Sequence, residues 1–207
     1  MSLVETLGAF REVELKMDTI ILRRFTQADV GKRYQGWLLD AEVTRFLDVN
    51  FSDKSIGELK RFVAATESDQ YSLFYLIVSR RTNEPIGTAK LTIDPTHLVG
   101  NYGYLIGERS WWGSKAAIEA QVALLDLAFS RLGVPRIYGG THNENVMSQF
   151  NFKKLGFKKE GTFRQHARKG PGDNHYVDIV YYGLLSGEWE KISHKFQSCR
   201  ETEGKQS

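Results

Sequence analysis

IGERSWWGSKAAIEA, residues 106–120, joins two kinds of hydrophobic periodicity. Before it, residues 100–107 place Tyr102, Tyr104 and Ile106 at alternate positions, which predicts a strand. After it, residues 114–132 set Ala117, Ala120, Leu124, Leu127 and Ala128 on one stripe, and Lys115, Glu119, Asp126 and Ser130 on another. That is helical spacing, and Gly133 followed by Pro135 is a C-terminal stop. A strand that runs into a helix offers the helix's free N–H groups and partial positive charge to an anion. By spacing alone, residues 106–117 are a candidate phosphate seat and nothing more specific.

Outward from this junction the chain alternates strand and helix signals. Residues 18–25, DTIILRRF, read as a strand, and a turn at Gln27-Ala28-Asp29 leads into a helix carrying Tyr34, Trp37 and Leu38. Ser55 and Glu58 form a capping box for a helix with Ile56, Leu59, Phe62 and Val63 on one face. Residues 71–79 and 86–94 predict a hairpin across Asn83-Glu84-Pro85, its second strand alternating Thr88, Lys90 and Thr92 against Ala89, Leu91 and Ile93. Residues 136–141 read as a strand, Asn145 caps a helix running to residue 155, and Gly156 stops it. The runs 158–165 and 176–184 flank HARKGPGDNH and read as a long hairpin. The expected order is β-α-α-β-β-β-α-β-α-β-β, a mixed α/β (α+β) fold. It forms a single domain over residues 1–189, with a polar tail over 190–207.

Composition narrows the function classes. With 41% hydrophobic and 26% charged residues in 207, the chain can build a core and is no disordered polyelectrolyte. The longest uncharged apolar run, residues 71–78, is far short of the roughly 20 residues a bilayer span needs. Charges at Glu5, Arg11, Glu12 and Glu14 argue against a secretory leader, so a cytoplasmic location and no membrane partner are expected. Cys199 is the single cysteine, which leaves no intramolecular disulfide and no cysteine-ligated metal, and no metal site is expected. A net charge of +3 is too small to announce nucleic-acid binding. Lys153, Lys154, Lys158, Lys159, Arg164, Arg168 and Lys169 do cluster around Glu160. A solvated face is the plainer reading of that cluster, and docking of a polyanion is the other.

Residues 106–120, together with 18–30, 36–47 and 143–189 (NENVMSQFNFKKLGFKKEGTFRQHARKGPGDNHYVDIVYYGLLSGEW), resemble the GNAT superfamily of acetyl-CoA-dependent N-acetyltransferases. Within it they are most similar to the RimJ/RimL-like branch, the ribosomal-protein alanine acetyltransferases. The resemblance covers residues 18–189 in the expected order. It implies the GNAT fold, a central mixed, mostly antiparallel twisted sheet of about seven strands flanked by about four helices. It also implies acetyl-CoA as co-substrate, no metal, and direct transfer of the acetyl group to a primary amine in a ternary complex.

The family binds the CoA pyrophosphate through backbone amides of a loop reading Gln or Arg, two residues, Gly, one residue, then Gly or Ala. Here that loop is Trp112, Gly113, Ser114, Lys115, Ala116 and Ala117, with Ala117 in the last place and Gly113 in the branch's Trp-Gly pair. Lys115 replaces the central glycine. Its side chain must be turned aside to let phosphate approach, whereas its ammonium would attract phosphate, and the two effects oppose each other. The resemblance places thioester and oxyanion contacts at Leu105, Ile106 and Gly107, and pantetheine contacts at Asn143 and Asn145. Ser148 is the expected proton donor to the departing thiolate, because Phe152 stands where many members carry a tyrosine acid and no phenol is expected there. A serine bonded to its own helix is the alternative.

His97 and Glu108 are the candidate bases, against plainer roles as a turn cap and as a partner of Arg109. An α-amino group, with a pKa near 7.7–8.0, is partly neutral already and needs only a weak base or none. Trp37, Tyr176 and Asp178 are the expected acceptor contacts. The expected partner is a small-molecule or peptide amine, such as a protein N-terminus or an aminosugar. A homodimer is compatible with this reading, and nucleic acid is disfavoured. Lys115 and Phe152 motivate the competing reading, a non-catalytic GNAT-like module that binds a ligand or partner.

Overall fold

SLFYLIVS, residues 72–79, is apolar at nearly every position, as a strand covered on both faces must be. In the computed structural model, which describes residues 3–47, 53–168 and 174–201, it lies inside an eight-stranded sheet. In chain order the elements begin α1 (Leu3–Arg11), β1 (Leu15–Lys16), β2 (Ile20–Arg24), α2 (Lys32–Leu39), α3 (Ala41–Thr44), α4 (Ile56–Ser68) and β3 (Ser72–Ser79). There follow β4 (Pro85–Asp94), β5 (Val99–Ile106), α5 (Ala116–Asp126), β6 (Arg136–His142), α6 (Val146–Lys154), β7 (Lys158–Arg168), β8 (Tyr176–Leu185) and α7 (Ser186–Ile192). The sheet runs β1-β2-β3-β4-β5-β6-β8-β7, antiparallel throughout except for β5 and β6.

β3 divides the core. Leu73, Tyr75 and Ile77 join Leu7, Leu22, Leu91 and the apolar residues of α5 on one face. Leu76 and Val78 join Phe25, Trp37, Leu59 and Val63 on the other, beneath α2 and α4. β4 obeys the same alternation, so Ala89, Leu91 and Ile93 enter the first core and Thr88, Lys90 and Thr92 face the other side. The caps fall where the sequence puts them. Ser55 accepts the Glu58 amide at 3.2 Å, Asn145 accepts the Ser148 amide at 3.1 Å, and Gly156 ends α6 at φ 83°.

Several features differ from expectation. The eighth strand is β1, two residues long, beside β2. α1 is a further addition, and Leu7 is fully buried with Leu3 and Phe10 packed around it. Glu119, expected on a polar stripe, is buried; its Oε2 accepts the Thr19 amide at 2.9 Å and the Thr19 hydroxyl at 2.8 Å. Burial raises its carboxyl pKa, offset in part by those two bonds.

The expected boundary at residue 189 does not separate core from tail. α7 and the 3-10 turns of Ser193–Cys199 carry Trp189, Phe196 and Cys199 into the interior, with Trp189 and Phe196 stacked at 5.5 Å. Arg200 then forks onto Asp126 at 2.8 and 2.9 Å. Polar composition concealed this because only every third or fourth residue is apolar, the spacing of a docked helix. Lys169 and the rest of 169–173 lie outside the described residues.

If the docked segment stabilises the fold, Phe196→Ala lowers unfolding free energy by about 3 kcal/mol, the scale for emptying a buried aromatic site. Urea denaturation checks this, and an unchanged midpoint contradicts the docking.

Candidate functional site

β5 and β6 are the parallel pair, and they pair at only three positions, Val99 with Arg136, Gly100 with Ile137 and Asn101 with Tyr138. From Tyr102 and Gly139 onward they part. The base of the gap is filled by Phe152 of α6. Its ring stacks on Tyr182 at 4.8 Å and meets Tyr102 edge-on at 6.0 Å. It lies so close over Gly139 that a Cβ there would come within 2.8 Å of it. Strand edges that have parted leave backbone polar groups in need of other partners. One is met locally: the Trp112 indole N–H donates to the Ile106 carbonyl at 2.9 Å.

Two adjoining hollows of about 490 and 340 Å3 follow the gap and share Phe46, Leu47, Tyr104, Leu105, Asn145 and Met147. The smaller ends at Trp112, Gly113 and Ala117, the N-terminus of α5. Gly113 turns the chain at φ 77°, a conformation that suits glycine. The amides of Lys115 and Ala117 have no partner among the described residues, so the mouth of α5 keeps the donors an anion needs. Lys115 does not obstruct them. Its ammonium pairs with Asp18 and lies 3.7 Å from the Glu119 carboxylate. Hydrogen bonding to Asp18 raises the pKa of Lys115. These residues suit a pyrophosphate, and the side chain that replaces the family's glycine is turned aside.

Ser148, on the first turn of α6, lines the larger hollow, as does Tyr104. The Tyr104 hydroxyl also accepts from Asn151 at 2.9 Å. Burial raises the phenol's pKa, and the neighbouring polar side chains, Asn151 first, partly offset this. Tyr104 is the polar side chain of the cleft that sequence reading missed. A phenol does stand at the site, contributed by β5 across the gap from the position of Phe152. Alternation along residues 100–107 marked Tyr104 as facing one side of the strand, but only the tertiary fold shows that α6 meets that side.

Other expected residues are placed elsewhere. His97 is exposed in the turn before β5, its amide on Asp94, and Val99 is six residues from Leu105, roughly 20 Å along an extended strand. Glu108 accepts the Trp37 indole N–H at 3.0 Å and lies 3.5 Å from Arg33, outside both hollows. Trp37 is buried behind the wall, against Gly107. The Gly107 amide is taken by the Ile86 carbonyl at 2.9 Å, which removes it as an oxyanion donor. Leu105 and Ile106 do line the smaller hollow. Asn143 is exposed and Asn145 alone of the two asparagines reaches the cleft. Asp178 accepts the Gln165 amide at 2.8 Å, and Tyr176 accepts from Arg168 at 3.2 Å, both on the β7–β8 hairpin. In the basic cluster, Lys158 pairs with Glu188 and Glu160 with Arg136. Among the described residues no group of three or more His, Cys, Asp or Glu could hold a metal, and no helix is long and apolar enough to cross a membrane.

A parted parallel pair leading from an amide-lined helix mouth into a cleft is the arrangement of an acetyltransferase. The chain belongs to the acetyltransferase (GNAT) domain family, whose model matches residues 19–158, and that family uses acetyl-CoA. It is 28% identical over 178 residues to the uncharacterized N-acetyltransferase p20 of Bacillus licheniformis, covering 84% of this chain and 97% of the relative. Its fold is similar to that of spermidine N-acetyltransferase from Vibrio cholerae in complex with CoA and spermine. That likeness has a TM-score of 0.73 and 17% identity, covering 83% of this chain and 98% of the other. The ribosomal-protein-S5-alanine acetyltransferase of Vibrio fischeri superposes with a TM-score of 0.72 and 16% identity, covering 86% and 98%.

A Cβ at Gly107 would run into the Trp37 ring. Gly107→Ala is therefore expected to displace that ring, lowering stability by about 1–3 kcal/mol and shifting tryptophan emission to the red. Unaltered emission and stability would show that the ring is not seated there.

Proposed function

We propose that this protein transfers the acetyl group of acetyl-CoA directly to a primary amine in a ternary complex, as a RimJ/RimL-like member of its family. The observation that carries the reading is the path from the free amides of α5, along the parted strands, to the hollow lined by Tyr104 and Ser148. The amides of Lys115 and Ala117 hold the pyrophosphate, and Asn145, Leu105 and Ile106 flank the pantetheine. The amine nitrogen attacks the thioester carbonyl and the carbon–sulfur bond breaks. Ser148 gives the departing sulfur its proton, the attacking nitrogen sheds one to water, and Ser148 regains its proton from water. No carboxylate or histidine among the described residues lines the larger hollow, so the acceptor is an amine that is already partly neutral or loses its proton to water. A protein N-terminus and an aminosugar both meet that condition. Likeness to the S5-alanine acetyltransferase supports the first at the level of fold.

An acetyl-CoA consumption screen across N-terminal peptides, aminosugars and polyamines tests the assignment. Ser148→Ala and Tyr104→Phe are expected to lower kcat about 100-fold, the lower end of the scale of general acid catalysis, with the Kd for CoA held within threefold. Full turnover in both variants would remove the pair from the chemistry. Gly113→Ala is expected to weaken CoA binding about fivefold, since a residue with a Cβ at this φ costs about 1 kcal/mol. Lys115→Met is expected to leave binding unchanged, because its ammonium is engaged with Asp18. Calorimetry with CoA reads both, and a large loss in Lys115→Met would show that the ammonium contacts phosphate. Absence of any heat at millimolar CoA would favour the non-catalytic module.

A further inference from the structure

Beyond Tyr104 and Leu105 the larger hollow runs under α2 and α4 toward β4, where its chemistry changes. Phe62 and Phe74 make apolar walls, and the polar stripe Thr88, Lys90 and Thr92 makes the floor. Lys90 is half-buried there, opposite Gly103 on β5, and a Cβ at Gly103 would have nothing within 4 Å. Lys90 thus borders open volume. Among the described residues, none of those lining this hollow is an aspartate or glutamate, and no carboxylate forms an ion pair with Lys90. Asp69 feels its charge but is already occupied, accepting the Ser72 hydroxyl at 2.6 Å and the Tyr71 amide at 3.0 Å. A cation half-withdrawn from water beside aromatic rings, with no carboxylate in ion-pair contact, gains from an anion that joins it.

We infer that the acceptor is a small primary amine that also bears an anionic group, carboxylate or phosphate, and that this group docks on Lys90. The inference rests on the acetyl-transfer reading and adds the acceptor class. Lys90 lies opposite Gly103, two residues before Leu105, so roughly 7 Å of strand separates the anion site from the thioester end of the cleft. The anion therefore belongs at the far side of the acceptor from its amine, with Thr88 supplying a hydroxyl donor beside Lys90. The same charge disfavours a polyamine, which would bring further cations to a floor that already holds one.

Matched amines test this. Glucosamine is compared with glucosamine 6-phosphate, which reads phosphate, and phenethylamine with 4-(2-aminoethyl)benzoate, which reads carboxylate. Spermidine is the cationic control. Each is measured for turnover with acetyl-CoA and, separately, for binding by calorimetry. In at least one pair the anionic member is expected to have a KM and Kd about 10- to 100-fold lower, the scale of a hydrogen bond to a charged group. Lys90→Met removes that advantage while the Kd for CoA stays within threefold, and Lys90→Glu improves spermidine. Equal KM and Kd within both pairs, or an advantage that survives Lys90→Met, overturns the inference and leaves the transferase reading standing. If no amine consumes acetyl-CoA, the transferase reading fails. Calorimetry then decides the pocket alone, with charge-selective binding lost in Lys90→Met sustaining the anion site and its absence overturning it.

Discussion

Two parallel strands that stop pairing after three residues create every feature of the cleft. Continued pairing of β5 with β6 would satisfy their backbone groups mutually and close the sheet. Where the pairing ends, Phe152 packs over Gly139 between Tyr102 and Tyr182. An aromatic ring close-packed on three neighbours does not yield to a zipping strand, because interiors of this density have no slack. The divergence then sets the positions of the two helices beside it: α5 starts where β5 ends, α6 starts where β6 ends, and their first turns face each other across the opening.

The phenylalanine has a double meaning. Set against the tyrosine acid that the family resemblance leads one to expect there, it reads as a missing acid, and so as a reason to doubt catalysis. In three dimensions it packs over Gly139 where the strands part, and a phenol, that of Tyr104, lines the same pocket from β5. A hydroxyl withdrawn from residue 152 and one supplied at residue 104 are unrelated along the chain but share one pocket. Lys115 resolves similarly. A bulky cation in a phosphate-binding turn is an obstacle only if it points inward, and Asp18 and Glu119 draw it outward.

Most of the sheet was legible in the sequence because strand periodicity, caps and glycine stops are local. The hairpin of residues 71–94, the long helix, and the Asn145 cap lie where their spacing puts them. α1 and the docked C-terminal segment were illegible for a different reason. Their stability comes from long-range contacts, Leu7 under β3 and Phe196 beside Trp189, and not from strong local signals. Of the candidate site, the α5 turn, Leu105, Ile106, Asn145 and Ser148 converge on the cleft. His97, Glu108, Trp37, Asn143, Tyr176 and Asp178 do not, because position relative to a motif says nothing about which way a side chain faces or what already holds it. Lys90 shows the converse: its alternation with Ala89 and Leu91 was visible, but its significance depends on an aromatic roof contributed by helices far away in sequence.

Arg200 grips Asp126 at the far end of α5, while Thr19 and Asp18 hold Glu119 and Lys115 at the near end. Both terminal regions thereby fasten a single rod roughly 16 Å long. A protease nick anywhere in residues 186–201 would loosen one clamp of that rod and let its amide mouth wander, although no atom of the severed piece touches the cleft. Damage at the chain's end would thus masquerade as a lesion in cofactor recognition.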